Sequence, residues 1–477
     1  MEFNKHGYQI EELTAGGSGI TVRAFRDRIY VDRPINTEYQ RMHIFAPEIY
    51  YHGGSINGYT LHTAPIFMPN MVGGYMPGLP GDPAGMPWDH KDTANTLFQA
   101  LRHGYVVAAP AIRGRVQQDD TGAYTGKAPA CIADYKAAVR YLRHFAEEIP
   151  GDVEKIITNG TSAGGALSFL MGATGNHPDY ESYLDAMGAA KERDDIFAAS
   201  CYCPITDMDH ADMAYEWQFL GVNTTLRHRR VEDRQGNVIF EPYEEPMSPV
   251  QIAASAELAP AFPGYVNSLA LTDADGAPLT LDKDGQGSFL EYVKGVVAAS
   301  AQRALDDGAD LSEKSWLSLE DGKVLSVDWT EYVKDITRLK AAPAFDGLRL
   351  ETPENDLFGD CRRNLCHFTA YSLEHSQVDG TMANAVSIKL LNPMAYMADP
   401  QATAAPHWRI RHGECDRDTS LAVSALLTLK LRQQGKNVDY HAPWNIPHAG
   451  DYDLDMLFAW IDGICQDQSV AADGNRR

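Results

Sequence analysis

Residues 155–171 read KIITNGTSAGGALSFLM and decide the fold of this 477-residue chain. Residues 155–159 have the apolar, β-branched character of a short buried strand, and residues 165–171 have the character of a helix. Between them stands the pattern Gly-x-Ser-x-Gly, centred on Ser162. On a tight turn from strand to helix, this pattern presents the serine hydroxyl at the top of a sheet. Its glycines allow the strained backbone and the close approach of strand and helix. The sequence therefore predicts that Ser162 is a nucleophile.

The composition is that of an ordinary folded protein, with 44% hydrophobic residues, 22% charged residues and a net charge of −24. This acidity argues against nucleic acid and anionic membranes as partners, since both are negatively charged. No run of about 18 apolar residues is present, so no transmembrane helix is expected. The first residues carry no basic segment followed by an apolar core, and we therefore expect no signal peptide and a cytoplasmic protein. The seven cysteines lack zinc-site spacing and are expected to be free thiols in a reducing compartment.

Strands and helices alternate through the first part of the chain. Strand character occurs at residues 20–25, 28–31, 41–45, 64–69, 105–109 and 197–204, and residues 131–145 have helical periodicity. This alternation is typical of a mostly parallel α/β sheet. It stops near residue 208, where a helix-rich stretch begins that includes an amphipathic helix at residues 289–305. Strand character resumes at residues 408–411 and 437–441, and the tail after residue 466 is expected to be disordered.

The serine turn and this alternation together predict an α/β-hydrolase core with a large, mainly helical lid insertion. The predicted parts are residues 1–207 for the first part of the core, 208–395 for the lid, and 396–477 for the second part of the core.

A serine nucleophile needs a base and an acid that orients the base, and the chain order in α/β hydrolases is serine, acid, histidine. Asp416 follows the strand at residues 408–411, and His448 follows the strand at residues 437–441. Both are therefore expected on loops at the C-terminal edge of the sheet. The sequence predicts a catalytic triad of Ser162, Asp416 and His448.

Neighbouring residues offer alternatives to this triad. Glu414, Asp416 and Asp418 all compete for the role of the acid. We favour Asp416, which leaves Asp418 to face the substrate pocket. Two further histidines near these loops, His412 and His441, are expected to be structural.

An oxyanion hole is expected beside the serine. The amide after the nucleophile belongs to Ala163, and a second amide comes from a loop after an earlier strand. Residues 72–75 fit that loop, and Gly74 is preferred over Gly73 as the second donor.

The whole chain resembles the bacterial tannases of the tannase and feruloyl esterase group. The stretches that carry the resemblance are residues 69–75, 160–165, 353–359, 416–419 and 447–448. The resemblance implies that the triad is the one named above. It also implies that Lys340, Glu354 and Asp418 hold a galloyl ring, while Ile205 lines the apolar face of that ring.

The chain departs from fungal members of that group, which join cysteines beside the catalytic acid and histidine by a disulfide. Here Cys415 precedes Asp416, but Pro447 precedes His448, so this disulfide cannot form. The lack of this disulfide fits an intracellular bacterial subtype of the group.

The implied ring site makes chemical sense, because a galloyl group carries three adjacent phenolic hydroxyls, each both a donor and an acceptor. Carboxylates at Glu354 and Asp418 can accept from these hydroxyls, and the Lys340 ammonium can donate to one. The sequence thus predicts a serine esterase that hydrolyses galloyl esters, small phenolic molecules, without a metal or organic cofactor.

Three other functions remain open at this point. They are a feruloyl or other cinnamoyl esterase with the same triad, a hydrolase fold that binds without reacting, and a peptidase of related fold. Separately, residues 282–288 resemble the start of a calcium loop. Position 12 of that loop is Val293 instead of the glutamate that calcium requires, so a turn before the helix at residues 289–305 is favoured.

Overall fold

The computed structural model describes residues 1–85, 94–232 and 238–466. Its strands are β1 (Gln9–Ala15), β2 (Ser18–Ile29), β3 (Arg41–Pro47), β4 (Pro65–Pro69), β5 (Val106–Pro110), β6 (Asp152–Thr161), β7 (Ala198–Tyr202), β8 (Thr224–Glu232), β9 (Val238–Pro246), β10 (Leu317–Glu320), β11 (Lys323–Val327), β12 (His407–Arg411) and β13 (Asn437–His441). Its helices are α1 (Thr96–His103), α2 (Ala130–His144), α3 (Ala163–Ala173), α4 (Glu181–Met187), α5 (Met208–Phe219), α6 (Pro249–Leu258), α7 (Phe262–Ser268), α8 (Ser288–Asp306), α9 (Trp329–Ile336), α10 (Pro353–Leu357), α11 (Ala370–Glu374), α12 (Ala385–Leu390), α13 (Leu421–Gln433) and α14 (Leu454–Gln466).

Within the described residues, nine strands form one mixed sheet in the order β1-β2-β3-β5-β4-β6-β7-β12-β13. The six strands from β5 to β13 pair in parallel, whereas β1, β2 and β3 form an antiparallel edge. Every residue of β4 and β7 is buried, because parallel strands inside such a sheet are covered on both faces. The nucleophile strand β6 lies between these two, and the α/β-hydrolase core predicted from the sequence is confirmed.

The chain leaves the sheet after β7 and returns to it at β12. In the described residues of this segment lie α5 to α12 and two antiparallel hairpins, β8–β9 and β10–β11. The helix predicted at residues 289–305 is α8, and its Phe289, Val293 and Val297 are buried. The sequence analysis does not predict the hairpins, because a strand such as β8 is largely polar and exposed and gives no apolar alternation.

Two details of the amino-terminal edge differ from the sequence-based expectation. The strands predicted at residues 20–25 and 28–31 are one strand, β2, which is interrupted by an irregularity between Phe25 and Arg28. Asp27 has a positive φ of 57° there, so the local pattern breaks although the strand continues. The sequence analysis does not predict β1. The tail after residue 466 lies outside the described residues.

The turn at residues 282–288 leads directly into α8. The Asp282 side chain accepts hydrogen bonds from the amides of Asp284 and Gln286, both at 2.9 Å. The turn that the sequence favours at this place is therefore present.

All seven cysteines are free, as the sequence predicts. Within the part of the chain that is described, no helix combines the length and the apolar character needed to cross a membrane.

The packing of α3 against the sheet depends on a glycine whose replacement is testable. A Cβ at Gly165 would clash with the carbonyl oxygen of Tyr202 in β7. We expect Gly165→Ala to lower the free energy of unfolding by about 1–3 kcal/mol, because neither backbone can move away without disturbing the sheet. Urea denaturation measures this change.

The matched control is Gly295→Ala, in the exposed part of α8, where an added Cβ meets nothing within 4 Å. This substitution is expected to raise stability by up to about 1 kcal/mol, since alanine is the better helix former. Equal stability of the two variants would contradict the close approach of α3 and β7.

Candidate active site

Ser162 occupies the sharp turn between β6 and α3. Its backbone has φ 62° and ψ −122°, a strained conformation for a residue with a side chain. The flanking glycines supply space, because a Cβ at Gly160 would clash with the Gly164 carbonyl and a Cβ at Gly164 would lie 2.8 Å from the Val72 carbonyl. The backbone strain is therefore located at Ser162 itself. The absence of side chains at the two glycines allows the strand, the helix and the neighbouring loop to pack closely around the serine.

His448 and Asp416 lie on the loops after β13 and β12, as expected from the sequence. The Nδ1 atom of His448 is 2.8 Å from Oδ2 of Asp416. Burial of His448 acts to lower its pKa, but the adjacent carboxylate of Asp416 raises it above the ordinary value. In the same way, burial acts to raise the pKa of Asp416, and the imidazoles of His412 and His448 hold it below the usual range. Because Nδ1 is engaged by the carboxylate, Nε2 is the histidine nitrogen left to exchange a proton.

Two contacts hold the histidine loop against the ends of β7 and β6. The Sγ atom of Cys203, just after β7, is 3.9 Å from Nε2 of His448. Burial raises the pKa of this thiol, while His448 and the Ser162 backbone oppose the rise. In addition, the backbone of Gly450 packs so closely on Thr161 that a Cβ would clash. Cys203 is a residue that sequence reasoning missed, since a lone cysteine after a strand gives no signal.

The competing acids and histidines have other partners. Glu414 accepts a hydrogen bond from the Asn445 amide at 3.3 Å, and burial raises the pKa of its carboxyl to about 7. The ring of His412 is buried with Nδ1 3.1 Å from the Ser424 hydroxyl, and His441 pairs with Asp439. Asp416 is thus the acid whose carboxylate contacts His448.

The amide of Ala163 is at the first position of α3, where a helix leaves its N–H groups without intrahelical partners. The loop after β4 supplies Gly73 and Gly74, both exposed. Arg115 donates from Nε to the Gly74 carbonyl at 2.8 Å, and the Met76 amide donates to the Gly73 carbonyl at 2.9 Å, so the peptides on both sides of Gly74 are held. Gly73 lines the cleft beside Ser162, which keeps it as the alternative to Gly74.

Of the four residues of the implied ring site, Ile205 contacts Ser162, and the other three interact with one another. Ile205 donates its amide to the Ser162 carbonyl at 3.3 Å. The Nζ atom of Lys340 donates to the Asp418 carbonyl at 2.7 Å and lies 3.9 Å from Oδ1 of Asp418. Glu354 is 6% exposed, and burial raises the pKa of its carboxyl despite the opposing charge of Lys340. One ammonium and two carboxylates therefore act on each other, and one of these carboxylates, that of Asp418, is on the loop that carries Asp416.

The short helix α10 holds Glu354 in place through its next two residues. Asn355 donates to Oδ1 of Asp346 at 2.7 Å, which anchors α10 within the inserted segment. Asp356 pairs with Arg115 and Lys127 of the core. Since Arg115 also holds the Gly74 carbonyl, one chain of contacts links the buried carboxylate to the predicted oxyanion loop.

Sequence reasoning missed several of these positioning residues. Tyr75 donates its hydroxyl to the Ile205 carbonyl at 2.9 Å, and Tyr215 donates to the Arg417 carbonyl at 2.8 Å. Tyr75 and Asp356 lie inside the stretches that carry the family resemblance, so the resemblance could have indicated them. Arg115 and Tyr215 lie in stretches that gave none.

Within residues 1–85, 94–232 and 238–466, two groups of side chains have the composition of a metal site. The first is Cys203, Asp416 and His448, which the predicted triad already uses. The second is Asp207, Asp209 and His210 at the start of the inserted segment. In that group Asn392 donates to both aspartates, and His210 contacts Asp207 at 2.8 Å, so its ligand atoms are engaged with protein groups.

Comparison with known proteins places the chain in a family. The family model BD-FAE matches residues 85–236, and no curated protein matches. The structure of tannase from Lactobacillus plantarum is similar with a TM-score of 0.93 and 45% identity, covering 97% of this chain and 99% of the other. The structure of Fusobacterium nucleatum tannase is similar with a TM-score of 0.91 and 45% identity, covering 97% of this chain and 99% of the other. The structure of a tannin acyl hydrolase in complex with ethyl gallate is similar with a TM-score of 0.92 and 45% identity, covering 97% of this chain and 98% of the other.

Identity at this level over nearly the whole length of both chains agrees with the serine turn and with the loops that carry Asp416 and His448. The chain therefore belongs to the bacterial tannases, a family of carboxylic ester hydrolases.

Proposed function

We propose that this protein is a serine esterase that hydrolyses the galloyl esters of hydrolysable tannins and simple gallates and releases gallic acid. The observation that carries the proposal is the charged cluster of Lys340, Glu354 and Asp418. Asp418 is on the same loop as Asp416, whose buried carboxylate is hydrogen-bonded to His448. The similarity to a tannin acyl hydrolase with bound ethyl gallate supports the same substrate class.

In the proposed reaction, Ser162 attacks the ester carbonyl while Nε2 of His448 accepts the hydroxyl proton. Asp416 keeps the proton of Nδ1 in place and stabilises the charged imidazolium that forms. The amides of Ala163 and Gly74 hold the developing oxyanion. The bond to the alcohol then breaks, and His448 returns its proton to the leaving oxygen. Water attacks the galloyl-enzyme by the same route and releases gallic acid.

The proposed ring site selects for phenolic hydroxyls. Glu354 and Asp418 accept from these hydroxyls, Lys340 donates to one, and Ile205 packs on the face of the ring. Hydrogen bonds to charged groups are about twice as strong as neutral ones, and a ring without hydroxyls leaves the buried Glu354 carboxylate unpaired.

We also propose that residues 208–395 act as one lid over the core. Hydrogen bonds from the segment to the acid loop support this division, namely Tyr332 to the Glu414 carbonyl at 2.6 Å and Lys340 to the Asp418 carbonyl at 2.7 Å. The lid thus supplies two of the ring-site residues, Lys340 and Glu354.

The triad is tested with methyl gallate. Ser162→Ala should abolish hydrolysis, and Asp416→Asn should lower kcat by about 10⁴-fold. Because the Asp416 carboxylate raises the pKa of His448, its removal should also move the acidic limb of the pH–rate profile to lower pH. Steady-state kinetics from acidic to alkaline pH measures both effects.

Glu414→Gln is the control for this experiment, since its carboxyl contacts the Asn445 amide instead of His448. We expect its profile to match that of the wild type. A fall in kcat in Glu414→Gln equal to that in Asp416→Asn would mean that Asp416 is not the catalytic acid. Activity in purified Ser162→Ala would mean that another residue is the nucleophile.

The ring site is tested by Glu354→Gln, which keeps the shape of the side chain and removes its charge. We expect kcat/KM for methyl gallate to fall about 10- to 100-fold, the worth of one hydrogen bond to a charged group, while 4-nitrophenyl acetate is hydrolysed normally. In the wild type, preference for the gallate ester should decline as pH falls through the raised pKa of Glu354, because only the carboxylate accepts two hydroxyls. In the variant this preference should not change over that range.

Glu351→Gln, an exposed position one turn before, is the matched control and should behave as the wild type. Equal loss on both esters in Glu354→Gln would mean that Glu354 does not bind the ring.

A feruloyl esterase with the same triad is the nearest alternative. Methyl ferulate has one free phenolic hydroxyl and a methoxy group, so it can satisfy only part of the charged ring site. We expect a higher kcat/KM for methyl gallate than for methyl ferulate under identical conditions. The reverse order would favour the cinnamoyl ester as substrate.

A further inference from the structure

A second cleft opens beside Ser162, away from the ring site. It has a volume of about 410 Å³, within the range of small-molecule sites. Its walls include Met71 and Gly73 after β4, Thr96 and Leu97 of α1, and Asp451 after the histidine. In the described part of the chain, none of the four ring-site residues lines it.

The order of the strands explains why the two sites lie on different sides of the nucleophile. Strand β6, which ends at Ser162, has β4 on one side and β7 on the other. The walls from Met71 and Gly73 follow β4. Ile205 follows β7, and Asp418 follows β12, the next strand beyond β7. A ring held over β7 and β12 therefore leaves the β4 side for the remainder of the ester.

Asp451 connects the histidine loop to this cleft. Its Oδ1 atom accepts from the Asn159 amide at 2.9 Å, and its Oδ2 atom accepts from the Thr96 hydroxyl at 2.8 Å. Asp451 is three residues after His448, the residue that must return a proton to the departing oxygen. Its carboxylate lies in the wall of the cleft. Asp451 has φ 55°, so the loop is held in a turn conformation that is uncommon for aspartate.

We propose that this cleft is the subsite for the leaving alcohol and that Asp451 makes it selective for polyols over simple alkyl alcohols. The proposal rests on the proposed galloyl esterase function and deepens it, because it assigns the other half of the substrate. Carboxylate oxygens offer about four acceptor positions, and the described residues use two of those on Asp451. The other positions can accept hydroxyls of a sugar or glycerol, while Met71 and Leu97 present apolar surface to its carbon atoms.

One further observation fits a polar ligand. Burial raises the pKa of the Asp451 carboxyl, so a hydroxyl that donates to the ionised form gains more there than at an open surface.

The test is Asp451→Asn, assayed with a glucose monogallate and with methyl gallate. Asparagine can keep both existing contacts, since its oxygen can accept from Asn159 and its amide can donate to the Thr96 hydroxyl. We expect kcat/KM for the glucose ester to fall about 10-fold or more, while that for methyl gallate stays near the wild-type value. Asp455→Asn, an exposed position in α14, is the matched control and should change neither rate.

A second measurement uses the reverse of the leaving step. Glycerol and methanol compete with water for the galloyl-enzyme, and the ratio of the two galloyl esters formed reports alcohol binding alone. Asp451→Asn should lower the ratio of glyceryl to methyl gallate.

An unchanged ratio, or an equal loss on both esters, would overturn the alcohol subsite while leaving the esterase function intact. Failure of the wild type to hydrolyse either ester would overturn the proposed function and the subsite with it.

Discussion

The carboxylate of Asp416 is the interaction on which the site depends. It is 2% exposed, with one oxygen on Nδ1 of His448 and the other accepting the amide of Asp418 at 2.8 Å. A buried charge is tolerated when it is paired in this way, and removing one partner of such a pair costs several kcal/mol. The same loop presents the Asp418 carbonyl to Lys340. The orientation of His448 and one wall of the proposed ring site therefore both depend on a single buried carboxylate.

The sheet explains how residues far apart in sequence reach this carboxylate. Parallel strands β6, β7, β12 and β13 end at one edge, and each contributes a loop to the site. The inserted segment contributes Lys340 and Glu354 to the proposed ring site. Its position is fixed by ion pairs such as Arg115 with Asp356, which are 241 residues apart, and by the hydrogen bond from Arg115 to Gly74. A small shift of the inserted segment would therefore change the geometry of the proposed ring site and of the predicted oxyanion loop at the same time.

Much of this arrangement could be predicted from the sequence. The turn at Ser162 has a local pattern, and the loops of Asp416 and His448 follow recognisable strands in the order that the fold requires. The contacts that hold these parts have no local pattern. Tyr75 reaches the Ile205 carbonyl across 130 residues, and Asp356 meets Lys127 across 229 residues, so neither pairing can be read from spacing. The hairpin β8–β9 was missed because β8 is largely polar and shows no alternation of apolar residues.

The central claim is that Ser162 divides the ester, with the galloyl ring over the β7 side and its hydroxyls on charged residues. A crystal structure of the inactive Ser162→Ala variant with methyl gallate bound tests this most directly. We expect ring hydroxyls within hydrogen-bond distance of Glu354 and Asp418, the ester carbonyl at the Ala163 amide, and the methyl group pointing towards the cleft at Asp451. A ring bound in that cleft, with Lys340 and Glu354 facing the alcohol or solvent, would contradict it.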